Sequence, residues 1–462
     1  MTARGRDPLF LALVYAALAT AVVSSLGMLL VPVVAETMSV PTSAAQWIIT
    51  GNLLVGALTA PTAGRLADGP HKKRLLLVVL SAALAGSVIA ALSSDFVVLL
   101  IGRTIQGVAY GIVPIAIAIA RERSPRERRA IAIATLSITV SMGLGIGYPL
   151  AGLAVGLMGL QAAFWMAAVF MVSALVVVAL VVPPPESHRM TSPPFDYLGA
   201  VLLSLTLGGV VVGVSEGPVF GWTSPVTIVI LAGSLASGLL WLATSGRAAV
   251  PFVSVTSIRA PRVMITHAGG FGLAATIYLA MSTSSLVAQA PVTTGYGIAL
   301  PALWAGFVIM PLSLGSFVAS RLLRMSMARL RLIDLLICGA VLIAAGQVLL
   351  LLLHAAIWQL LVGMLVVGTG MGVVFGVAPV IVARDVALSE VGSAVSFNQV
   401  LRTIGGTIGS AVAGSLFAAT LSRGGYPSDE GIQLAFLTGT TVAVLVAAML
   451  TIFRRASKIE RG

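Results

Sequence analysis

The sequence predicts an all-α integral membrane protein with fourteen transmembrane helices and both termini in the cytoplasm. Three observations support this fold class: the composition, the placement of basic residues and an internal repeat. Of 462 residues, 58% are hydrophobic and 9% are charged, whereas a soluble domain carries roughly 25% charged residues. A helix needs about 20 apolar residues to cross a hydrocarbon core of roughly 30 Å. The chain therefore divides into membrane-spanning segments.

Charge clusters and Gly and Pro residues delimit the predicted spans. The first span follows Arg4 and Arg6, and its apolar run reaches Val34, which is too long for a cleaved secretory signal. The predicted spans cover residues 10–33, 45–64, 75–93, 96–120, 131–154, 161–182, 197–215, 225–243, 263–287, 301–320, 332–353, 357–382, 393–421 and 433–453.

The placement of the basic residues gives the orientation. With a cytoplasmic amino terminus, all but three of the 27 Lys and Arg residues lie in cytoplasmic segments; Arg423 lies outside, and Arg103 and Arg402 lie within spans. This asymmetry follows the positive-inside rule and predicts a multi-pass protein of the cell (cytoplasmic) membrane. The net charge of +12 is therefore explained by the basic residues on the cytoplasmic side of the membrane, and no nucleic-acid partner is expected.

The single cysteine, Cys338, lies in an apolar run, so the chain has neither an internal disulfide nor a thiolate metal cluster. We expect no cofactor and no metal. Four scattered histidines with no deep carboxylate do not form a catalytic constellation, so the sequence does not indicate an enzyme. A receptor would usually append a soluble domain, and no segment fits one.

An internal repeat relates the two halves of the chain. Gly143–Gly152 and Gly405–Gly414 agree at five of ten positions, and changing the offset by one residue aligns Gly107 with Gly370. We infer a parallel duplication of six spans with two spans inserted, divided as 1–182, 183–262 and 263–462. In proteins built this way the ligand binds where the halves face each other.

The loop after the second predicted span runs from Gly64 to Arg74. Asp68 can cap a helix or pair across the cytoplasmic face, and Lys72, Lys73 and Arg74 can anchor to anionic headgroups. The alternative is a basic loop that only sets topology. The segment resembles the Gly-x-Leu-Ala-Asp loop motif of the major facilitator superfamily, which implies a cytoplasmic gate with Asp68 as its acid. One departure is His71, where the family usually has glycine.

Arg103 lies several residues inside the fourth span. Such an arginine costs a few kcal/mol unless it is paired or hydrated, so it should face the bundle interior or a water-filled cavity, with Gln106 nearly on the same face. The alternative is a structural arginine tied to carbonyls or hydroxyls of the first span. The segment resembles the superfamily's Arg-x-x-Gln-Gly motif.

The fifth span carries small residues that let two helices approach closely, and a proline that bends the helix: Gly143, Gly147, Pro149 and Gly152. By itself this is a packing motif. It also resembles the antiporter motif Gly-x-x-x-Gly-Pro-x-x-Gly-Gly, which implies export. Here Tyr148 stands where that motif has its proline.

Three further segments extend the resemblance: Gln46-Trp47, the stretch from Val214 to Trp222, and the stretch from Asn398 to Gly406. Together they resemble the fourteen-span drug:proton antiporter branch. This resemblance implies an exporter of drugs or natural products that works as a monomer among membrane lipids. The same fold could instead move lipids between leaflets.

One departure from that branch concerns the first span, which usually carries an acid about nine residues before a proline. Here the proline is Pro32 and the corresponding residue is Val23, followed by Ser24 and Ser25. No carboxylate falls near the centre of a predicted span.

Two hypotheses follow from the missing acid. In the first, the cavity is net positive and favours anionic or strongly hydrogen-bonding substrates; its polar ligands are Arg103, Gln106, Asn398, Gln399 and Arg402, with Ser24 and Ser25 beside them. In the second, a proton couples transport through Glu36, Asp68 or His267. We expect the first to describe substrate charge, and coupling stays open. Apolar cavity residues are expected at Phe271, Tyr278 and Trp304, for which lipid contact or core packing is the alternative.

Overall fold

The structure is a computed structural model that describes residues 8–184, 195–247, 251–253, 259–327, 329–387, 390–422 and 426–459. Within these ranges the chain is helical, with short 3-10 turns and one isolated β-bridge between Leu421 and Pro427. The predicted all-α class is confirmed. Arg4, Arg6 and Arg423, used above for the orientation, lie outside the described residues.

The described residues 8–184 form eight α-helices. Two of them, α5 and α6, continue one another through the 3-10 turn Gly107–Gly111 and make one long segment. The helices are α1 (Pro8–Thr37), α2 (Thr42–Ala45), α3 (Trp47–Ala67), α4 (Lys72–Leu92), α5 (Phe96–Gln106), α6 (Ile112–Arg123), α7 (Arg129–Met158) and α8 (Leu160–Val181).

The second part of the chain continues the same pattern. A break at Ile309 separates α12 from α13, next to Pro311, which lacks the amide that a continuous helix needs. The helices are α9 (Tyr197–Phe220), α10 (Pro225–Ser245), α11 (Pro261–Gln289), α12 (Ala302–Val308), α13 (Met310–Ser326), α14 (Leu332–Leu352), α15 (Ile357–Asp385), α16 (Val391–Ala419) and α17 (Asp429–Ile459).

Thirteen segments of the described chain are long and apolar enough to cross a membrane. The helix α3 is not among them, although its 21 residues are long enough. It carries buried Thr50, Asn52 and Arg65, because it packs against other helices at the centre of the bundle, on α5, α9 and α16. The fold is thus an all-helical membrane bundle of thirteen to fourteen spans.

The helices pack into two groups. In the first, α1 packs on α7 and α8, and α4 packs on α5 and α8; in the second, α15 packs on α13 and α14, and α16 packs on α11. Each group has its own large apolar core. The groups meet where α3 contacts α16 and where α7 contacts α13 and α15, while α9 touches both α3 and α16. A cavity between the groups is therefore framed by α3, α7, α9 and α16.

The repeated glycines make equivalent helix contacts in the two groups. A Cβ atom on Gly143 or Gly147 of α7 would collide with α1, at Ala21 and at the Ser25 side chain. On α16, a Cβ atom at Gly405 or Gly409 would collide with carbonyl oxygens of α11. Each glycine-rich helix thus packs closely on the first helix of its group. Pro149 lies inside α7, and Gly152 follows within the same helix.

Candidate functional site: a central cavity and the gate beneath it

A central cavity of about 310 Å³ lies between the two helix groups. Its wall combines residues of α1, α3, α5, α7 and α9 with residues of α11 and α16. Among the described lining residues, most of the polar ones carry a hydroxyl group, three of them on tyrosine rings. The polar lining residues are Ser24, Gln46, Thr50, Asn52, Arg103, Tyr110, Tyr148, Ser215, Tyr278, Thr403, Thr407 and Ser410.

Arg103 lines this cavity but is held mainly by α1. Its Nη1 donates hydrogen bonds to the Val23 carbonyl oxygen at 2.9 Å and to Gln106 Oε1 at 2.7 Å, and its Nη2 donates to the Ser24 carbonyl oxygen at 3.4 Å. Asn52 Nδ2 donates to the Arg103 carbonyl oxygen. The structural alternative considered above is therefore what is observed, and the arginine also contributes its charge to the cavity wall.

At the position where the resemblance implied an acid, a backbone carbonyl takes its place. Val23 presents its carbonyl oxygen to Arg103, so a neutral dipole replaces a carboxylate. Gln106 lies behind Arg103 rather than in the cavity wall, and its Nε2 donates to Ser87 Oγ at 2.9 Å. In this conformation the Gln106 amide joins α5 to α4, and its role as a cavity residue stays a prediction.

Arg402 and Asn398 are not in the cavity wall. Arg402 Cζ lies 4.2 Å from the centroid of the Phe375 ring, and its Nε and Nη1 have no hydrogen-bond partner among the described residues. Asn398 Nδ2 lies 3.0 Å from His267 Nδ1. The helix α16 turns Thr403 toward the cavity instead. The sequence gives the depth of these residues along the helix but not which face they occupy, so their role as substrate ligands stays a prediction.

Three other predicted cavity residues also differ from the expectation. Ser25 is buried against α7, and its Oγ donates to the Val22 carbonyl oxygen, whereas Ser24 does line the cavity. The Phe271 carbonyl packs on Gly405. Trp304 is 55% exposed, in a separate apolar groove beside Phe307. Packing and lipid contact, the alternatives considered above, describe Phe271 and Trp304 better.

Glu216 is a residue that the sequence reasoning missed. It is 1% exposed, its Oε1 accepts a hydrogen bond from Thr50 Oγ1 at 2.8 Å, and Thr50 Oγ1 lies 2.9 Å from Ser215 Oγ. Its Oε2 has no hydrogen-bond partner in the part of the chain that is described. Thr50 and Ser215 both line the cavity. The available signal was the Ser-Glu-Gly-Pro segment, but the predicted span ended at residue 215, whereas α9 continues to Phe220.

Asp68 follows the last residue of α3 and contacts the first residues of α16. We call this end of the helix bundle the Asp68 end. Asp68 Oδ1 accepts a hydrogen bond from the Gly392 amide at 2.7 Å, and its Oδ2 accepts one from the Ser393 amide at 3.2 Å. These amides form the amino terminus of α16, where the helix dipole favours an anion. Gly64 lies directly against Gly392. The Asp68 contact therefore joins the two helix groups.

The electrostatics of Asp68 reflect its burial, since its side chain is only 2% exposed. Burial raises the pKa of Asp68 from 3.8 to about 6, and the two amide hydrogen bonds and the charge of Arg65 counteract part of this rise. Arg65 Nη1 lies 4.0 Å from Asp68 Oδ2. The other predicted proton carriers differ in burial: His267 is buried, whereas Glu36 is exposed at the end of α1.

The three basic residues that follow His71 have different surroundings. Lys72 Nζ lies 2.8 Å from Glu122 Oε2 and donates to the Gly69 carbonyl oxygen, and Lys73 Nζ donates to the Ala179 carbonyl oxygen. Arg74 is exposed. Beneath the cavity, Gln399 Nε2 donates to the Tyr110 carbonyl oxygen at 3.1 Å, which adds a second link between the groups.

Comparison with known proteins identifies the class. Residues 9–410 match the model of the Major Facilitator Superfamily, and the chain belongs to this family of membrane transporters. It is 26% identical to an uncharacterised transporter of the same superfamily from Mycobacterium tuberculosis, over 90% of this chain but only 60% of that protein's length. It is also 26% identical to the multidrug resistance protein Stp of the same species, over 82% and 69% of the two chains.

A solved structure confirms the fold. The human organic anion transporter MFSD10 matches with a TM-score of 0.64 at 18% identity, over 96% of this chain and 98% of that one. At this identity the match establishes the architecture alone. The helical bundle with a cavity between two helix groups is therefore the fold of a major facilitator, and its members are transporters rather than enzymes.

Proposed function

We propose that this protein exports small amphipathic molecules across a bacterial cytoplasmic membrane by alternating access. The observation that carries the proposal is the central cavity, whose wall draws on both helix groups while Asp68 joins the same groups beneath it. A transporter of this type rocks its two halves around a site at their interface. The name of the relative Stp, a multidrug resistance protein, supports a drug-like substrate.

The proposed orientation has fourteen spans, both termini in the cytoplasm and the Asp68 end facing the cytoplasm. The cavity wall includes Gln46 and Ser215, which lie near the opposite helix ends. In this orientation we propose that the cavity opens to the outside and that the transporting unit is a monomer. Inward opening then requires Asp68 to leave the Gly392 amide and Gln399 to leave Tyr110.

The cavity chemistry favours amphipathic substrates that are neutral or anionic. Tyr110, Tyr148 and Tyr278 provide aromatic surface with polar edges, and Arg103 is the one charged side chain among the described residues that line the cavity. Arg402 lies nearby, and its Nε and Nη1 have no hydrogen-bond partner within the described part of the chain. In our proposal it reaches the substrate once the Asp68 end opens.

Proton coupling is assigned to Glu216 in this proposal. A carboxyl group buried in a membrane protein marks a functional site by default, and the hydroxyls of Thr50 and Ser215 connect Glu216 to the cavity. Its position near the outer end of α9 suits proton uptake from outside. This acid would supply what Val23 lacks in the first helix.

The test compares efflux of an anionic dye, fluorescein, with that of a cationic dye, ethidium, from cells that lack other pumps. We expect Arg402→Gln to reduce fluorescein efflux more than ethidium efflux. The matched control is Arg331→Gln, which removes an exposed charge at the start of α14. Unchanged fluorescein efflux in Arg402→Gln would overturn the proposed preference for anions, and no efflux of either dye by the unmodified protein would argue against drug export.

A second candidate function is lipid transport. An apolar groove of about 750 Å³ lies between α3, α9 and α10, beside the helix that contributes Ser215 to the cavity. A triacylglyceride transporter of Mycobacteroides abscessus is 28% identical over 79% of this chain and 73% of that protein. Movement of a fluorescent lipid between leaflets of proteoliposomes, without movement of either dye, would favour this function.

A further inference from the structure

We propose that the protein binds a chloride ion inside its second helix group, at the side chains of Arg402 and His267. Three polar side chains form the site, Arg402 and Asn398 of α16 and His267 of α11, and we call it the Arg402 site. None of the three belongs to the described residues that line the central cavity. The ion would therefore bind apart from the transported substrate, and the site goes beyond the proposed function.

The three side chains of the Arg402 site meet beside Gly270 of α11. Asn398 and Arg402 are four residues apart on α16, so they share one face of that helix. A Cβ atom added to Gly270 would lie 3.5 Å from Arg402 Cγ and 3.6 Å from Asn398 Nδ2. Asn398 Nδ2 in turn lies 3.0 Å from His267 Nδ1. Gly270 therefore leaves a space of about the size of a methyl group next to these side chains.

Several hydrogen-bond donors of the site are unused. The amide nitrogen of Asn398 can only donate, so His267 Nδ1 accepts its bond and Nε2 carries the proton of the neutral ring. His267 Nε2, Arg402 Nε and Arg402 Nη1 are buried and find no hydrogen-bond partner anywhere in the described chain. Burial of unsatisfied donors costs free energy. The site therefore suits a ligand that accepts hydrogen bonds.

The charge of Arg402 favours an anion over a neutral acceptor. Its Cζ lies 4.2 Å from the centroid of the Phe375 ring, and none of the ion pairs between described residues includes it. A cation inside a membrane costs free energy unless it is paired. A bound anion would neutralise the guanidinium and accept its hydrogen bonds at the same time.

The size and the walls of the site favour chloride over a larger oxyanion. The space beside Gly270 suits one atom of about methyl size, whereas sulfate and phosphate each carry several oxygens. The walls are apolar, since the Phe375 ring covers Arg402 and the Phe397 ring lies 5.4 Å from the His267 ring. Chloride, which is weakly hydrated, loses less on entering such surroundings than sulfate or phosphate does.

The remaining polar atom of the site is an acceptor. Asn398 is fully buried, and its Oδ1 has no hydrogen-bond partner within the described ranges. In our proposal a water molecule beside the ion donates one hydrogen bond to Asn398 Oδ1 and one to the chloride. Donors and acceptor of the Arg402 site would then all be satisfied.

The experiment measures chloride binding to the purified full-length protein in detergent, through the midpoint of thermal unfolding. Sodium chloride replaces sodium gluconate at constant ionic strength, and a ligand that binds only the folded state raises the midpoint as its concentration increases. We expect a saturable rise with chloride, a similar rise with bromide, and none with sulfate. Arg402→Gln should weaken chloride binding at least about tenfold, because hydrogen bonds to a charged group are lost.

Two adjacent glycines provide a matched pair of variants. Gly270→Ala places a methyl group in the proposed position of the ion, at ordinary contact distances of 3.5 Å and more. It should also weaken chloride binding at least about tenfold. Gly269→Ala adds the same methyl group against Leu450 and Val446, at 3.6 Å and 3.7 Å. It should change chloride binding by less than about twofold, since its methyl group faces apolar side chains.

The outcomes that would overturn the proposal are distinct. They are an unfolding midpoint that does not respond to chloride, an equal response to sulfate, and equal chloride binding by Gly270→Ala and Gly269→Ala. If Arg402→Gln does not fold, Gly270→Ala still decides, because its nearest contact is 3.5 Å away. The measurement involves no transport, so its result is separate from that of the dye-efflux test.

Discussion

Replacing Gly64 by alanine tests whether the structure has a tightly closed gate at the Asp68 end. An added Cβ atom at Gly64 would lie 2.5 Å from the Gly392 carbonyl oxygen and 2.7 Å from Ser396 Cβ. Backbone cannot yield as a flexible side chain does, so α3 and α16 must separate. Overpacking of this kind costs about 1–3 kcal/mol. A cost of about 2 kcal/mol would shift the equilibrium toward the open gate by roughly 30-fold.

The assay is pulsed electron paramagnetic resonance between spin labels on the two helix groups. Glu127 and Asp385 are exposed near this end, and the native Cys338 is exposed, so it is first replaced by serine. We expect Gly64→Ala to move the population toward the longer distance. The control is Gly233→Ala, because a Cβ atom there would meet nothing within 4 Å. A Gly64→Ala distribution identical to that of Gly233→Ala would refute the close approach of α3 and α16.

Three further predictions concern single ionisable residues. Asp68 has a pKa of about 6 in the closed gate and an ordinary pKa of 3.8 when it is hydrated in an open gate, so the closed state binds the proton more tightly. The fraction of closed molecules should therefore rise as the pH falls from about 7 to 5. The Asp68→Asn substitution should remove this pH dependence in the same distance measurement. Glu216→Gln should abolish dye transport driven by a pH gradient but retain dye exchange at equal pH, whereas Asp95→Asn, at an exposed helix cap, should retain both. Arg103→Ala should lower the thermal unfolding midpoint, because the hydrogen bonds from Arg103 to the Val23 and Ser24 carbonyls are lost; a midpoint equal to that of Arg331→Gln would contradict this.

The fold could be predicted from the sequence because a membrane strongly constrains the segments that cross it. Every spanning segment must satisfy its own backbone and present an apolar surface, so hydropathy locates most helices. The predicted span 45–64 located α3 as well, although α3 keeps Thr50 and Asn52 buried among protein neighbours and is not among the thirteen segments apolar enough to cross a membrane. These two polar side chains bond to neighbouring helices, Thr50 to Glu216 and Asn52 to the Arg103 carbonyl oxygen.

The residues of the site were harder to predict from the sequence, for two physical reasons. A linear sequence gives the depth of Arg402 and Asn398 but not the rotation of α16, which turns Thr403 and Thr407 toward the cavity. In addition, the predicted end of the seventh span excluded Glu216 by one residue, since Pro218 suggested a helix end but lies inside α9. The local Gly64–Arg74 motif drew attention to Asp68, but the partner of Asp68, the α16 amino terminus, is distant in sequence, so the contact itself could not be predicted.

The most direct test of the transport mechanism uses purified protein in proteoliposomes with an imposed pH gradient. We predict that ethidium or fluorescein accumulates only while the gradient is present, and that an ionophore that collapses the gradient abolishes accumulation. Empty liposomes provide the baseline. Accumulation that persists after the gradient is collapsed, or that never exceeds the baseline, would contradict proton-coupled export of small amphipathic molecules.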